Sequence, residues 1–332
     1  MTNNEFENKI ILITGGTGSI GSALVKELLP YNPTQIRIFS RDQNKQYELM
    51  EELGDQPHVR FLVGDIRDEN RLNLALNNVD IVFHAAALKH VPSCEYNPFE
   101  AVKTNIMGSQ NLIEAALKNN VQKVIGISTD KVVHPTSVMG TSKLMMEKLF
   151  TSAYHYMGPK NTKFACVRFG NVAWSAASVL PIWQKQVSKN NEIKITDKRM
   201  SRFLMSKQQA ARLVLKAAEL THGEEIFVLK MPAIKLPHLA KIFIEKYAPG
   251  QKVKIKLIGN RGGEKMHEDL FSGADMHQHI FENKEMFILV SHPNRYPELN
   301  DRKYPGFKKV NKDNIKLSSA NNISISEIKK II

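Results

Sequence analysis

Cysteine is scarce: 332 residues hold two, Cys94 and Cys166. That is too few for a disulfide framework, so both are expected to be reduced. Cys166 lies in the apolar run Phe164-Ala165-Cys166-Val167. No Cys/His set has zinc-ligand spacing, so no metal site is expected. No apolar run reaches the roughly 18 residues that span a membrane. The first residues, MTNNEFENK, lack the apolar core of a secretion signal, and a cytoplasmic location is expected. Acid is outnumbered, with 33 Asp and Glu against 46 Lys and Arg, for a formal net charge of +13. The lysines are spread out rather than clustered with aromatics, so no nucleic-acid partner is expected. A phosphorylated small ligand fits such a surplus as well as a solvated surface does. Hydrophobic residues make up 42% of the chain, which suits one large domain or two modest ones and excludes disorder as a whole-chain reading. There is no internal repeat.

What is present is a succession of strand and helix signals. Ile10 to Ile13 is a buried-strand run. It leads through Thr14-Gly15-Gly16-Thr17-Gly18-Ser19-Ile20-Gly21 into a helix periodic at Leu24, Leu28 and Leu29. Glycines placed so between strand and helix permit a tight turn and close approach to a pyrophosphate, which the helix N-terminus holds. Gly15, Thr17, Gly18, Ser19, Ile20 and Gly21 are therefore candidate dinucleotide contacts. A second strand, Gln35 to Phe39, ends in Ser40-Arg41-Asp42. An acid directly at that end would hold the ribose 2′-hydroxyl of NAD, whereas Ser40 and Arg41 suit a 2′-phosphate. NADP is expected over NAD. The third strand, Val59 to Val63, ends near Asp65, placed for an adenine amino group, with Ile66 beside it. The fourth, Asp80 to Phe83, ends in His84-Ala85-Ala86-Ala87. Ala85, Ala86 and Ala87 let a cofactor lie against the backbone, and His84 reads as a packed strand-end histidine.

A long loop with Lys89 and His90 follows, then a helix from about Pro98 to Lys118 carrying Asn105. Lys89 and His90 are candidate substrate contacts, Lys89 being equally readable as a solvated cation, and Asn105 is a candidate cofactor contact. The fifth strand, Val124 to Ile127, runs into Ser128-Thr129-Asp130-Lys131. It puts a hydroxyl, an acid and a base where open α/β sheets bind ligands. A helix from about Val138 to Tyr156 then presents Met139 and Lys143, four apart. Strand six, Lys163 to Arg168, ends in Phe169-Gly170-Asn171-Val172. Beyond Trp174 the alternation weakens. Helices are expected at Ser178 to Lys189, at Ser206 to Glu219 with Ser206 as N-cap, at Leu236 to Tyr247 and at Ser326 to Ile332; a strand is expected at Glu225 to Leu229. The chain past about Asn300 is basic and weakly patterned. The fold class is α/β: a Rossmann doubly wound parallel sheet with a smaller C-terminal α/β substrate-binding domain. The expected boundaries are 1–175 plus about 203–232 for the dinucleotide domain, and about 176–202 plus 233–332 for the other.

A strand-end hydroxyl followed by a helix bearing x-x-x-Lys resembles the short-chain dehydrogenases, which pair Ser or Thr with Tyr-x-x-x-Lys. Thr129 and Lys143 fit, and Met139 holds the Tyr position. Phe39-Ser40-Arg41-Asp42, His84 to Pro92, Ser128 to Lys131, Val138-Met139-Gly140, Arg168 to Val172, Met200-Ser201-Arg202-Phe203 and Arg261-Gly262-Gly263-Glu264-Lys265 sharpen the likeness. As a group, over about 10 to 272, they resemble the extended short-chain dehydrogenases that act on nucleotide sugars. The closest resemblance is to the UDP-N-acetylglucosamine 4,6-dehydratases of bacterial polysaccharide biosynthesis, in a short form without an N-terminal membrane region. The chain departs from that pattern at Trp174-Ser175-Ala176-Ala177-Ser178, where Gly-Ser-Arg-Gly-Ser is common, and at Gly262, usually Pro. Met at the Tyr position occurs in a branch of the family.

The resemblance implies a redox-neutral elimination. Bound NADP takes a hydride from sugar C4, a base removes the C5 proton, the C6 hydroxyl leaves as water, and the hydride returns to C6. Met139 has no proton to exchange. The resemblance implies that Thr129 orients the C4 oxygen, Lys143 binds the nicotinamide ribose, and Asp130 and Lys131 are the acid/base pair. Lys131 is expected at C5, its pKa lowered by burial and cations, and Asp130 at C6, or the reverse. Arg202 and Arg261 are implied pyrophosphate ligands, with Asn171 and Glu264 as further substrate contacts. A homo-oligomer is implied, a dimer or a higher assembly up to a hexamer, paired through helices 98–118 and 138–156. Two other readings stand beside this one: a nucleotide-sugar 4-epimerase, which needs no C5 base or C6 acid, and a non-catalytic NADP-binding regulator.

Overall fold

The computed structural model describes residues 4–156, 158–290, 302–310 and 318–332. Part of the tail past Asn300 thus lies outside the described residues. Strands β1 (Ile10–Thr14), β2 (Gln35–Ser40), β3 (Val59–Val63), β4 (Ile81–His84), β5 (Lys123–Ile127) and β6 (Lys163–Arg168) form the parallel part of a large sheet. Short strands β7 (Asn171–Val172), β8 (Glu192–Ile195) and β9 (Ser201–Met205) leave it, and β10 (Ile226–Leu229) returns beside β6. Strands β11 (Ala233–Lys235), β12 (Lys254–Leu257), β13 (His279–Glu282), β14 (Met286–Val290) and β15 (Lys308–Lys309) complete the set. The sheet order is β15-β13-β14-β10-β6-β5-β4-β1-β2-β3. From β6 to β3 this is the doubly wound order, with its switch point between β1 and β4.

The helices are α1 (Ser19–Leu28), α2 (Gln43–Leu53), α3 (Glu69–Ala75), α4 (Val91–Tyr96), α5 (Pro98–Ala101), α6 (Gly108–Lys118), α7 (Val138–Ser152), α8 (Val179–Asn190), α9 (Lys207–Leu220), α10 (Leu236–Tyr247) and α11 (Ile325–Ile331). Helices on both faces explain why Ile11, Leu12 and Ile13 are all fully buried. The helix expected over 98–118 runs unbroken, as α5, a π-helical stretch Val102–Met107 and α6. In that stretch the Asn105 side chain is drawn into the neighbouring loop. Ser206 caps α9 as expected, in a reciprocal capping box with Gln209.

A second, smaller core gathers Leu180 and Trp183 of α8, Ile193 and Ile195 of β8, Leu239 and Phe243 of α10, and Ile328 of α11. Strand β9 stands between the two cores: Phe203 and Met205 pack in the first and Leu204 in the second. This is the two-residue alternation of a strand whose faces are both covered. The expectation that 233–332 belongs wholly to the second unit is corrected. Met286–Val290 is buried throughout and pairs antiparallel with β10, so β13, β14 and β15 extend the large sheet. An all-apolar strand has no solvent face and must lie inside a sheet, not at a surface.

Candidate active site

A cavity of about 650 Å³ runs from the switch point into the second core. At the switch point the glycines make contacts that no side chain could. Gly15 has φ +64°, and a Cβ there would stand 2.7 Å from Ala86 N, while one on Gly21 would strike Gly15 O. The loop is thereby pressed against Ala85 and Ala86, opening a cradle beside them. Gly18 caps α1 with no side chain to offer, leaving the first-turn N–H groups of α1 available to an anion. Gly15, Thr17, Gly18, Ser19, Ile20, Gly21, Ala85, Ala86 and Ala87 all line the cavity. At the end of β2, Thr17 Oγ1 donates to Ser40 Oγ at 3.1 Å. Asp42, also on the cavity wall, caps α2 by accepting from Lys45 N and pairs with Lys45 Nζ at 3.1 Å. Asp65 accepts from Arg67 Nε and Nη2 at 2.9 and 2.7 Å and lies 3.6 Å from Arg41. Both carboxylates at this end are engaged, while Arg41 and Lys45 line the wall beside Asp65 and Ile66.

The middle of the cavity belongs to the ends of β4 and β5 and the start of α7. His84 is buried with both ring nitrogens engaged, by Thr14 Oγ1 at 2.7 Å and Ser109 Oγ at 3.0 Å. Burial, with the charge of Lys143, pushes it down to about 3, so it is a neutral packing residue as the sequence indicated. Gly140 lets α7 start against the Lys131 backbone, since a Cβ would strike Lys131 O. Ser137 caps α7 through Gly140 N. Met139 is buried on the cavity wall, and its neighbour on the same helix face, Lys143, bonds Met146 Sδ at 3.0 Å. With a thioether as acceptor, burial outweighs the charge of Glu147, and Lys143 falls to about 8. Asn105, expected at the cofactor, is not on the cavity wall. Its amide bonds both Leu88 N and Leu88 O, at 2.8 and 2.9 Å, and donates to Ser142 Oγ. A carboxamide matches a backbone amide in both donor and acceptor, so it ties the β4 loop to α7.

Thr129 and Lys131 line the cavity, with Asp130 fully buried behind them. Thr129 Oγ1 donates to Asp130 Oδ1 at 2.9 Å, and Lys131 Nζ donates to the same oxygen at 2.9 Å and to Asn171 Oδ1 at 3.0 Å. The lowered Lys131 expected from burial and cations is corrected. Burial does push it down, but Asp130 and then Glu268 more than reverse this, and the amine is raised. Glu268 lies 3.6 Å from Lys131.

At the far end, Lys89, His90, Asn171, Arg202, Arg261 and Glu264 all face the cavity. Burial, with the charge of Lys207, lowers Lys89. Arg202 spends its donors on its own surroundings: Nη1 on Ser201 O at 2.7 Å and Nη2 on Lys265 O at 2.9 Å. The cavity wall also carries buried oxygens with no hydrogen-bond partner: Thr104 Oγ1, Ser128 Oγ, Ser178 Oγ and Glu264 Oε2. Buried polar atoms are rarely left so, and these fit a polar ligand that supplies the missing bonds. With the glycine cradle, they make the cavity suited to a dinucleotide lying from Arg41 to Lys143 and a second polar ligand beyond.

Sequence reasoning missed the glutamate beside Lys131, Glu268. It also missed the buried triad in which Arg168 Nε donates to Glu147 Oε1 at 2.8 Å and Arg168 Nη1 to Asp275 Oδ2 at 2.9 Å. Neither carries a local motif.

The comparisons agree with this geometry. A curated relative from Campylobacter jejuni, named UDP-N-acetylglucosamine 4,6-dehydratase (inverting), is 43% identical over 93% of this chain and 86% of its own. One from Rickettsia canadensis, named UDP-glucose 4-epimerase, is 43% identical over 82% of this chain and 80% of its own. The X-ray structure of Pen from Bacillus thuringiensis is 41% identical, covers 98% of both chains and superposes with a TM-score of 0.90. Residues 11–290 match the family model described as polysaccharide biosynthesis protein, and the chain belongs to that family.

Proposed function

We propose that this chain is a nucleotide-sugar 4,6-dehydratase acting on UDP-N-acetylglucosamine, with NADP held in the glycine cradle. The observation that carries the reading is the Thr129-Asp130-Lys131 cluster on the cavity wall, between the cradle and the polar far end. It agrees with the name of the Campylobacter relative. Ser40 and Arg41, with both nearby carboxylates engaged, support a 2′-phosphate over a bare hydroxyl. The bound nicotinamide would accept the C4 hydride and return it to C6.

The residues then move protons. Thr129, donating to Asp130, gives the C4 hydroxyl proton a path to that carboxylate. Protonated Asp130 no longer balances Lys131, so the buried pair would carry a net positive charge. Lys131 therefore sheds its proton to solvent and becomes the base for C5. Asp130 passes its proton to the C6 oxygen, which leaves as water. As the hydride returns to C6, protonated Lys131 gives a proton back to C5; the C4 hydroxyl proton and the C6 hydroxyl together make the water, so the atoms balance. Met139 packs against this site and exchanges no proton.

Proton NMR of the protein with UDP-N-acetylglucosamine in D₂O tests the reading. A new C6 methyl signal on a 4-keto sugar supports it. The epimerase reading, favoured by the Rickettsia relative, predicts UDP-N-acetylgalactosamine with no methyl signal. We further propose a cytoplasmic homodimer through α4 to α7, where Tyr96, Phe99, Met107 and Met145 are exposed. Light scattering that finds only monomers at micromolar concentration would refute the pairing. Among the described residues no helix is long and apolar enough to cross a membrane.

A further inference from the structure

Glu268 is 2% exposed yet surrounded by cations. Its Oε1 lies 3.6 Å from Lys131 Nζ and 3.9 Å from Arg202 Nε, and its Oε2 lies 3.4 Å from Lys265 Nζ. Its backbone is fixed on both sides by one residue of the C-terminal segment. Glu268 N donates to Ser319 Oγ at 2.9 Å, and Ser319 N donates to Glu268 O at 2.8 Å. Ser319 Oγ in turn meets Ser201 Oγ of β9 at 2.8 Å. Lys265 reaches back to Val133 O, just past the catalytic turn. Thr136 Oγ1 bonds Gly263 O at 3.0 Å. The segment from 263 to 268 is thus clamped over the turn that carries Lys131, and Glu268 is its one carboxylate within 4 Å of that amine.

We propose that Glu268 is a positioning residue of this active site: it fixes Lys131 against Asp130 and governs when that amine gives up its proton. The charged groups facing Lys131 are Asp130 on its own turn, Glu268, and Arg202 from β9, with Lys265 behind Glu268. Two carboxylates therefore hold one amine. When Asp130 takes up a proton, Glu268 remains as the only facing negative charge among the described residues. It keeps Lys131 aimed at the cavity while the balance tips toward release. Lys265 and Arg202 draw on the same carboxylate and moderate its hold on Lys131.

This inference rests on the proposed dehydratase, and the test separates the two. The lysine side-chain NMR signal of Lys131 is followed through a pH titration of the ligand-free protein, assigned by its absence in Lys131→Met. Glu268→Gln should move the Lys131 midpoint down by roughly one unit or more, the shift typical of losing a close counter-charge. Lys265→Met frees Glu268 for Lys131 and should move it up. The acid limb of kcat for UDP-N-acetylglucosamine should follow in the same two directions. Glu268→Asp keeps the charge and should restore the midpoint more than the turnover, because the shorter side chain aims less well. If Lys131 titrates unchanged in both Glu268→Gln and Lys265→Met, the proposal is wrong. The opposite shift in Lys265→Met keeps the test decisive should Glu268→Gln fail to fold. If the midpoint moves in these two directions but no UDP-sugar turns over, Glu268 does position Lys131 and the dehydratase reading fails.

Discussion

Replacing Arg168 by methionine should cost more than any surface change, for reasons that can be traced atom by atom. Arg168 sits at the end of β6 and is 2% exposed. Its guanidinium donates to both oxygens of Glu147 on α7, at 2.8 and 3.1 Å from Nε, and to Asp275 Oδ2 at 2.9 Å from Nη1. Asp275 also receives Ser272 N and Ser272 Oγ. Arg168→Met nearly keeps the volume but leaves two buried carboxylates without the cation they share. Removing one partner of a buried ion pair costs about 3–5 kcal/mol, because the remaining charge cannot be resolvated. The loss should also depend on pH, with a sign that can be worked out. In the native chain burial pushes Asp275 up, but Arg168 more than offsets this and holds it low, so it adds stability at neutral pH. Without Arg168 the upward push of burial is opposed only by the hydrogen bonds from Ser272, and Asp275 rises. A raised carboxyl gives stability that is present below its unfolded value, about 4, and lost as pH rises through the folded value. The penalty should therefore be smaller at pH 5 than at pH 8. Urea unfolding followed by far-UV circular dichroism measures it. Trp174 and Trp183, both packed in the second core, report that unit separately by fluorescence. Replacing Glu147 and Asp275 by neutral residues as well should recover most of the loss. A penalty under about 1 kcal/mol, or one that does not change with pH, would refute the reasoning.

The remaining predictions are more local. Lys143→Met should stabilise the ligand-free fold, since a lysine at about 8 against a normal 10.5 has its stability fully present only above the unfolded value and lost as pH falls through 8. Thermal scans from pH 7 to 10.5 should find a rise in melting temperature in the native chain that is flatter in the variant, and a variant less stable at pH 7 would contradict this. Ala177 holds φ +58°, one of two left-handed non-glycine positions in the stretch Trp174 to Ser178. Ala177→Gly removes about 1–2 kcal/mol of strain and loses about 0.5–1 to unfolded-state entropy, so a gain of roughly 0.5–1 kcal/mol is expected by urea unfolding. Arg41→Ala should weaken NADP binding roughly tenfold by calorimetry and leave NAD nearly unchanged; equal loss for both would remove Arg41 from the 2′-phosphate site.

The large sheet was legible because its strands are short apolar runs closed by glycine or polar turns. Ile10 to Ile13 and Phe164 to Val167 allow no amphipathic reading, and strands buried on both faces leave none. The cap of α9 was legible too, since Ser206 and Gln209 satisfy each other within four residues. The return of the chain to the sheet at Met286–Val290 was not. An apolar strand announces burial but not its partner, and β14 pairs with a strand far back in the chain. The π-helical stretch inside the helix over 98–118 was hidden for a similar reason. Within that stretch the Asn105 carboxamide meets both backbone groups of Leu88, and nothing near Asn105 in the sequence records that contact.

The site divides along the same line. The glycine loop and the Thr129-Asp130-Lys131 run are contiguous, so their place on one cavity wall follows from order alone. What sets their chemistry is not contiguous. From the sequence, Lys131 looks like a lysine depressed by burial and neighbouring cations. In the fold, Asp130 beside it and Glu268, which arrives from far along the chain, together reverse the sign. Met139 invites the opposite error. Alone, a methionine at a tyrosine position suggests a lost proton carrier. Beside it, however, the hydroxyl of Thr129 already donates to a buried carboxylate, and the amine of Lys143 is held low by burial. On the proposed mechanism that path carries the proton in place of a phenol, so the residue that is missing says less than the hydrogen bonds that are made.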